Sequence, residues 1–182
     1  MNIKTTLILG CTLAVFSHAF AAAMIDAKKS TVTITAKQMN VPMNAKFNKV
    51  SGTVDYNPGA PDATKATIDI DIASFDLGDP DYNKEVLKKE WFNAAQFPKA
   101  SFISTSIKSG ANGVLTASGK LTIKGKALDV TFPVKINKDA TATVFEGAIP
   151  IHRLAYNIGE GEWSDTGMVA DEVVIRFHVV IQ

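Results

Sequence analysis

Residues Leu115 to Ile136 read LTASGKLTIKGKALDVTFPVKI, and this stretch decides the fold. Apolar and polar side chains alternate on both sides of Gly125, as in two β-strands joined by a tight turn. A type II′ turn centred on Gly125-Lys126 fits this pattern, because glycine tolerates the first central position of that turn. The resulting register would place Phe132 opposite Gly119, where the ring could cover the bare backbone. The stretch therefore predicts a hairpin with one apolar and one polar face.

The same alternation recurs along most of the chain. Further strands are predicted over residues 30–37, 46–56, 66–75, 99–107, 141–152 and 171–181. Together with the hairpin they make eight strands at short spacing, which favours an all-β, antiparallel barrel or a closely related sandwich. The segment from Gln38 to Asn44 is expected to be a polar connection.

One segment has helical spacing instead. Asp79 is a good N-cap and Pro80 a good first residue, and Pro98 follows near the expected end. We therefore predict one amphipathic helix over residues 80–96, packed across one end or side of the sheet. Trp91 lies on its apolar side, and Trp91 and Phe92 could close an end of the barrel or simply pack the helix against it.

Alternation does not say which face lines the interior. A soluble barrel is apolar inside, whereas an outer-membrane barrel is apolar outside and carries two aromatic girdles. Three tyrosines and two tryptophans are too few for such girdles, which favours the soluble barrel.

The first residues have the pattern of a secretory signal peptide. Lys4 precedes an apolar run, and Ala19-Phe20-Ala21 resembles a cleavage site. We expect residues 1–23 to be removed and residues 24–182 to form a single domain in the periplasm. Cys11, the only cysteine, would leave with the signal, so neither a disulfide nor thiol chemistry is expected.

Composition excludes several classes of function. The chain has 19 basic and 18 acidic residues, and loss of Lys4 with the signal balances them, so no nucleic-acid partner is expected. His152 and His178 are the histidines outside the signal, and both are predicted to lie on strands outside the lumen. No nucleophile motif or metal-ligand spacing is present, so we expect neither an enzyme nor a metal or cofactor site.

Several motifs together resemble the YceI-like periplasmic family. They are Trp91 to Phe102 (WFNAAQFPKASF), the hairpin from Leu115 to Phe132, and Tyr156 to Trp163 (YNIGEGEW) followed by Val169 to Val173 (VADEV). The resemblance implies an eight-stranded lipocalin-like barrel that binds polyisoprenoids or other long amphiphiles in its lumen. One segment differs: many members have a His-Leu-Gly type segment after the first strand, where this chain has Gln38 to Pro42.

The predicted inner face combines bulky and small side chains. The small ones, which could leave room along the axis, are Ala36, Gly52, Ala66, Ala100, Ala117, Gly119 and Gly147. The predicted lumen lining is Val50, Val54, Ile68, Ile70, Phe102, Ala117, Gly119, Leu121, Val130, Phe132, Phe145, Ile149, Ile175 and Phe177. Trp91, Phe92 and Trp163 are candidates for closing the mouth.

Two hypotheses follow for the function. The first is a periplasmic carrier of a long apolar ligand, such as a polyisoprenoid, a quinone-like molecule or a fatty amphiphile. The alternative is a barrel with a filled core that binds another protein, as an accessory of a membrane redox, lipid-handling or stress-response system. The residues alone leave both open, as they do the choice between a monomer and a homodimer.

Overall fold

A computed structural model describes residues 22–110 and 114–182. Within these ranges it contains eleven strands in one sheet, in which every pair is antiparallel, and one α-helix. The strands are β1 (Ala23–Met24), β2 (Thr31–Gln38), β3 (Val41–Phe47), β4 (Val50–Asp55), β5 (Lys65–Asp71), β6 (Phe75–Asp76), β7 (Lys99–Ser109), β8 (Val114–Ile123), β9 (Lys126–Lys138), β10 (Thr143–His152) and β11 (Glu172–Ile181). The predicted all-β, lipocalin-like architecture is confirmed. Residues 1–21 of the predicted signal peptide and residues 111–113 lie outside the described residues.

The number of strands is higher than the eight predicted. Residues 38–44, expected to be a connection, mostly belong to β3, because Met39 and Asn40 take left-handed backbone angles (φ 49° and 64°) and turn the chain directly back along β2. The short strands β1 and β6 are the other additions. Both are two residues long, too short for alternation to reveal them.

The sheet curls so that its apolar face points inward. Its strand order is β1-β4-β5-β7-β8-β9-β10-β11-β2-β3-β6. The N–H of Ile25 donates to the carbonyl of Gly52 after β1, and the N–H of Asp26 donates to the carbonyl of Val180. Residues 25 and 26 thus connect β4 to the end of β11, and the curled sheet closes at this end.

The hairpin forms where it was predicted, but its turn and register differ. The turn is Lys124-Gly125, with φ of 49° and 73°, as a type I′ turn requires. Gly119 consequently faces Val130 instead of Phe132, a shift of two residues that keeps every side chain on its predicted face.

Lys124 holds this turn in place despite its left-handed backbone. Its Nζ donates to the carbonyl of Asn157 at 2.6 Å and to the carboxylate of Glu160 at 2.8 Å. The side chain is only 7% exposed, which makes these charge-assisted bonds stronger than a surface ion pair. The sequence pattern gave no sign of these distant partners.

The helix, α1 (Pro80–Glu85), is much shorter than the predicted span of residues 80–96. Its start agrees with the prediction, since the Asp79 carboxylate accepts hydrogen bonds from the N–H groups of Asp81 and Tyr82. Beyond Glu85 the chain forms a series of turns.

Burial of one aromatic ring explains this early end. The N–H of Phe92 donates to the carbonyl of Val86 at 3.0 Å, and Asn93 takes a left-handed backbone (φ 50°). These turns place Phe92 against the rings of Phe47 and Phe75, with centroid distances of 6.0 and 6.1 Å. Tertiary packing therefore overrides the local helical spacing.

Three phenylalanine rings lie side by side along the inner wall. Phe132 on β9 contacts Phe102 on β7 at 5.2 Å between centroids and Phe177 on β11 at 5.6 Å. Phe102 covers Gly119 of the intervening strand β8, and Phe177 covers Gly147 of β10. We call these three rings the aromatic row. Because a glycine leaves room beneath two of them, these rings can pack closely against the wall.

Substituting Gly147 should disturb the aromatic row. A Cβ at this position would lie 2.5 Å from Cζ of Phe177 and 2.7 Å from the carbonyl oxygen of Pro133. We expect Gly147→Ala to lower the free energy of unfolding by about 1–3 kcal/mol, the usual cost of overpacking. Chemical denaturation would measure it.

Gly59→Ala is the matched control. Its Cβ would meet only the Asn57 side chain, at 3.3 Å, so we expect a change within about 0.5 kcal/mol. Equal stability of the two variants would contradict the role assigned to Gly147.

Candidate functional site

The barrel encloses a cavity of about 280 Å³. One water needs only about 15 Å³, so the interior is hollow on a scale far beyond a packing defect. Its wall combines inward-facing side chains of the long strands with residues of α1 and of the segment after β10. Nearly all of these groups are apolar, so the cavity is suited to hydrocarbon.

The cavity has two distinct ends, which we name after one residue each. The Thr64 end lies near Val54 and Leu115, where β4 finishes and β8 begins. The Arg153 end lies near Ile123 and is framed by α1 and by residues 153–170. Leu115 and Ile123 both line the wall of the same strand, and at about 3.4 Å per residue with the usual strand tilt they are roughly 20 Å apart along the axis.

Most of the predicted lumen residues lie on the cavity wall. They are Val54, Ile68, Ile70, Phe102, Ala117, Leu121, Phe132, Phe145, Ile149, Ile175 and Phe177. The predicted mouth residues Trp91, Phe92 and Trp163 are on the wall as well. Their contact with a ligand remains a prediction.

Three predicted lining residues do not reach the wall. Val50 is 2% exposed and packs in the core where β4 begins. Gly119 lies beneath the ring of Phe102, whose Cε2 would be 2.6 Å from an added Cβ. Val130 lies opposite Gly119 in the observed register and packs against the core without lining the cavity.

Among the small residues predicted on the inner face, the alanines border the cavity and the glycines do not. Ala36, Ala66, Ala100 and Ala117 line the cavity. The glycines do not, because aromatic rings cover Gly119 and Gly147, while the backbone of Gly52 (φ 137°) approaches the carbonyl of Thr67. The alanines are therefore the small residues that border the hollow.

Arg153 is a wall residue that sequence reasoning missed. It is 2% exposed, and all five N–H donors of its guanidinium meet backbone carbonyls. Nε donates to Ala170, Nη1 to Ile158 and Gly159, and Nη2 to Trp163 and Val169, at distances between 2.7 and 3.2 Å. No sequence motif announces this arrangement, since the acceptors are main-chain groups that any residue carries.

Arg153 therefore determines the shape of one end of the cavity. Its five bonds hold residues 158–170 across the Arg153 end, where the chain contains the 3-10 helix Gly161–Ser164. Burial lowers the pKa of Arg153, and the nearby Asp171 carboxylate partly opposes that shift. The carbonyl dipoles solvate a charge that would otherwise be costly to bury.

Two tryptophans lie over this end. The rings of Trp91 and Trp163 are 5.4 Å apart between centroids, and Cζ of Arg153 lies 5.9 Å from the Trp91 centroid, within the range of a cation–π contact. Phe92, the third residue predicted at the mouth, is buried against the rings of Phe47 and Phe75, at centroid distances of 6.0 and 6.1 Å, and helps to close the wall there.

Two buried polar side-chain atoms of wall residues have no hydrogen-bond partner within residues 22–110 and 114–182. They are the indole Nε1 of Trp91 at the Arg153 end and the hydroxyl Oγ1 of Thr64 at the opposite end. Buried donors and acceptors are nearly always paired, so each of these atoms calls for a physical explanation.

The histidines form hydrogen bonds with carboxylates outside the cavity wall. His152 Nδ1 lies 2.9 Å from the Asp171 carboxylate, and His178 Nδ1 lies 2.8 Å from that of Glu146. In the described part of the chain, no cluster of three His, Cys, Asp or Glu side chains is arranged to hold a metal ion. Over the same residues, no helix is long and apolar enough to cross a membrane.

The sequence matches a known family over nearly the whole described region. The family, described as the YceI-like domain, matches residues 24–181. Among curated relatives, the UPF0312 protein of Shewanella baltica is 30% identical over 152 residues, which cover 82% of this chain and 76% of the relative.

Solved structures share the same fold. The crystal structure of Burkholderia cenocepacia BcnA is 46% identical, with a TM-score of 0.85 over 87% of this chain and 99% of the other. A polyisoprenoid binding domain from Saccharophagus degradans, implicated in plant cell wall breakdown, is 17% identical, with a TM-score of 0.68 over 89% and 99% of the two chains. At that identity the second likeness concerns the fold alone.

Removing the Arg153 guanidinium should release residues 158–170 from their position over the cavity. Arg153→Met leaves five carbonyls without their donor, and we expect a loss of about 3 kcal/mol or more in the free energy of unfolding. Arg176→Met is the control, because Arg176 is exposed and donates to a single side chain, that of Thr35. Chemical denaturation of both variants checks this, and an equally small loss in both would contradict the role assigned to Arg153.

Proposed function

This chain belongs to the YceI-like family, and from that premise we propose that it is a periplasmic carrier that holds a long apolar ligand in its barrel. The ligand is a polyisoprenoid, a quinone-like molecule or a fatty amphiphile. The observation that carries the proposal is the hollow, apolar lumen of about 280 Å³. A relative of the same fold that is named as a polyisoprenoid binding domain supports it.

The energetics of burial favour such a ligand. Sheltering roughly 400 Å² of hydrocarbon from water contributes about 10 kcal/mol before the cost of association. Ordering the ligand and losing its free motion removes a substantial part of this gain. With an association cost of about 4 kcal/mol, the remaining ~6 kcal/mol corresponds to a dissociation constant of tens of micromolar, so tighter binding needs polar contacts as well.

The cavity also bears on the alternative function. A barrel that only presents its surface to a protein partner would be expected to fill its core, because close packing stabilises the fold. Here Ala66, Ala100 and Ala117 border an open space that larger side chains could have filled. The lumen therefore favours the carrier over the protein-interaction barrel with a filled core.

The location is part of the proposal. The signal-like pattern of residues 1–23 supports export and cleavage, which would leave a single lipocalin-like domain in the periplasm. There the protein would bind its ligand without catalysis and without a metal or cofactor.

Lipid extraction tests the proposal directly. The protein is purified from the periplasm of its native host without detergent and extracted with organic solvent, and the extract is analysed by mass spectrometry. We expect one class of long apolar molecule at close to one per protein. An unrelated periplasmic protein taken through the same steps is the control, and finding no enriched apolar molecule would refute the carrier.

Filling the lumen should abolish binding without unfolding the barrel. Ala117 lines the cavity, so the larger side chain of Ala117→Leu would extend into open space. We expect ligand content to fall at least several-fold, while the midpoint of chemical denaturation stays near that of the unmodified protein. Thr116→Leu, on the exposed face of the same strand, is the control and should retain its ligand.

Gly119 would not serve for this experiment. Its Cβ would collide with the carbonyl of Ile103 and the ring of Phe102, so a substitution there changes folding as well as space. If Ala117→Leu binds as much ligand as Thr116→Leu, the ligand does not occupy the lumen.

A further inference from the structure

We propose that the indole N–H of Trp91 donates a hydrogen bond to an uncharged oxygen of the ligand, which places the ligand's polar group at the Arg153 end of the cavity. This inference rests on the proposed function and specifies the chemistry of the same site. The ligand class is a long apolar chain that ends in a carbonyl group.

The unpaired indole nitrogen is the first observation. Nε1 of Trp91 is enclosed and has no hydrogen-bond partner within residues 22–110 and 114–182, although Trp91 lies on the cavity wall. An indole N–H can only donate, and it cannot be reoriented without moving the ring. Its natural complement is therefore an acceptor supplied by the contents of the cavity.

Arg153 offers no donor to an anionic acceptor. All five of its donors are bonded to backbone carbonyls, so its guanidinium has none left for a phosphate or carboxylate. A phosphate has several anionic oxygens, and the one N–H of Trp91 could not replace its lost hydration. One donor instead matches one carbonyl oxygen.

The positive charge of Arg153 also disfavours a cationic head group beside Trp91. Its Cζ lies 5.9 Å from the Trp91 ring centroid, so an ammonium group at this position would be repelled at short range. An oxygen with a partial negative charge is attracted instead. Donor and charge therefore select the same kind of group.

Thr64 is the competing position for the polar group. Its Oγ1 is unpaired as well, and the residue is 6% exposed on the cavity wall. A hydroxyl, however, rotates freely and both donates and accepts, so it selects much less strictly than an indole. The wall near Thr64 includes Val54, Leu115 and Phe145, which suit the apolar tail.

Contact between Nε1 and the ligand requires a local shift. Nε1 is enclosed, and the ring of Trp163 lies 5.4 Å from that of Trp91. Trp163 belongs to the 3-10 helix Gly161–Ser164, and its ring must move slightly for the ligand to reach Nε1. Binding should therefore change the environment of both indoles.

Nuclear magnetic resonance can observe the proposed bond. The chain contains two tryptophans, so the ¹⁵N-labelled protein gives two indole N–H signals, and Trp163→Phe assigns them. The full-length mature protein, stripped of lipid, is titrated with geranylgeranylacetone, which ends in a ketone, and with a hydrocarbon isoprenoid of equal length. We expect the Trp91 N–H proton to move downfield with the ketone and not with the hydrocarbon.

Affinity measurements with variants complete the test. The unmodified protein should bind the ketone on the order of tenfold more tightly than the hydrocarbon, as one net hydrogen bond gives. Trp91→Phe should remove this preference while still binding the hydrocarbon, whereas Trp163→Phe should keep it. Geranylgeranyl diphosphate should bind more weakly than the ketone in every variant.

Each outcome has a distinct meaning. If the protein binds no isoprenoid at all, the proposed function fails. If it binds the ketone and the hydrocarbon equally, or if Thr64→Val and not Trp91→Phe removes the preference, the carrier stands and the role of Trp91 is refuted. Tighter binding of the diphosphate would refute the uncharged head group.

Discussion

The requirement to keep one continuous apolar sheet face away from water organises this structure. Every long strand carries apolar side chains at alternate positions, and a flat sheet would expose them on one side. The sheet meets this requirement by curling on itself, and the backbone bonds of Ile25 and Asp26 join β4 to β11. Curling of the sheet therefore both covers the apolar face and encloses the cavity.

The cavity stays open because the large aromatic side chains pack along the wall. Gly119 and Gly147 give space beneath Phe102 and Phe177, so the aromatic row lies along the wall. The alanines on the wall then border open volume. In a barrel with the same number of apolar residues but larger residues in place of these glycines, the rings would project towards the axis.

The Arg153 end depends on a different interaction. A buried guanidinium is costly unless every donor is paired, and here five carbonyls of one segment pair it. The same bonds fix where Trp163 meets Trp91, so stability and the geometry of the entrance are linked. The opposite end has no comparable charge on its wall among the described residues.

Sequence alone determined the antiparallel, all-β architecture and the inward position of eleven of the fourteen residues predicted to line the lumen. It could do so because alternation is a local property of the strand, and a register error of two residues in the hairpin left each side chain on its face. Tertiary structure decided the end of α1, where burial of Phe92 outweighed helical spacing, and the partners of Lys124 and Arg153. Those contacts join residues to backbone carbonyls that carry no sequence signal, so only the folded chain could reveal them. Whether the lumen is filled or hollow was likewise open until the rings were placed, because volume depends on how side chains from different strands pack together.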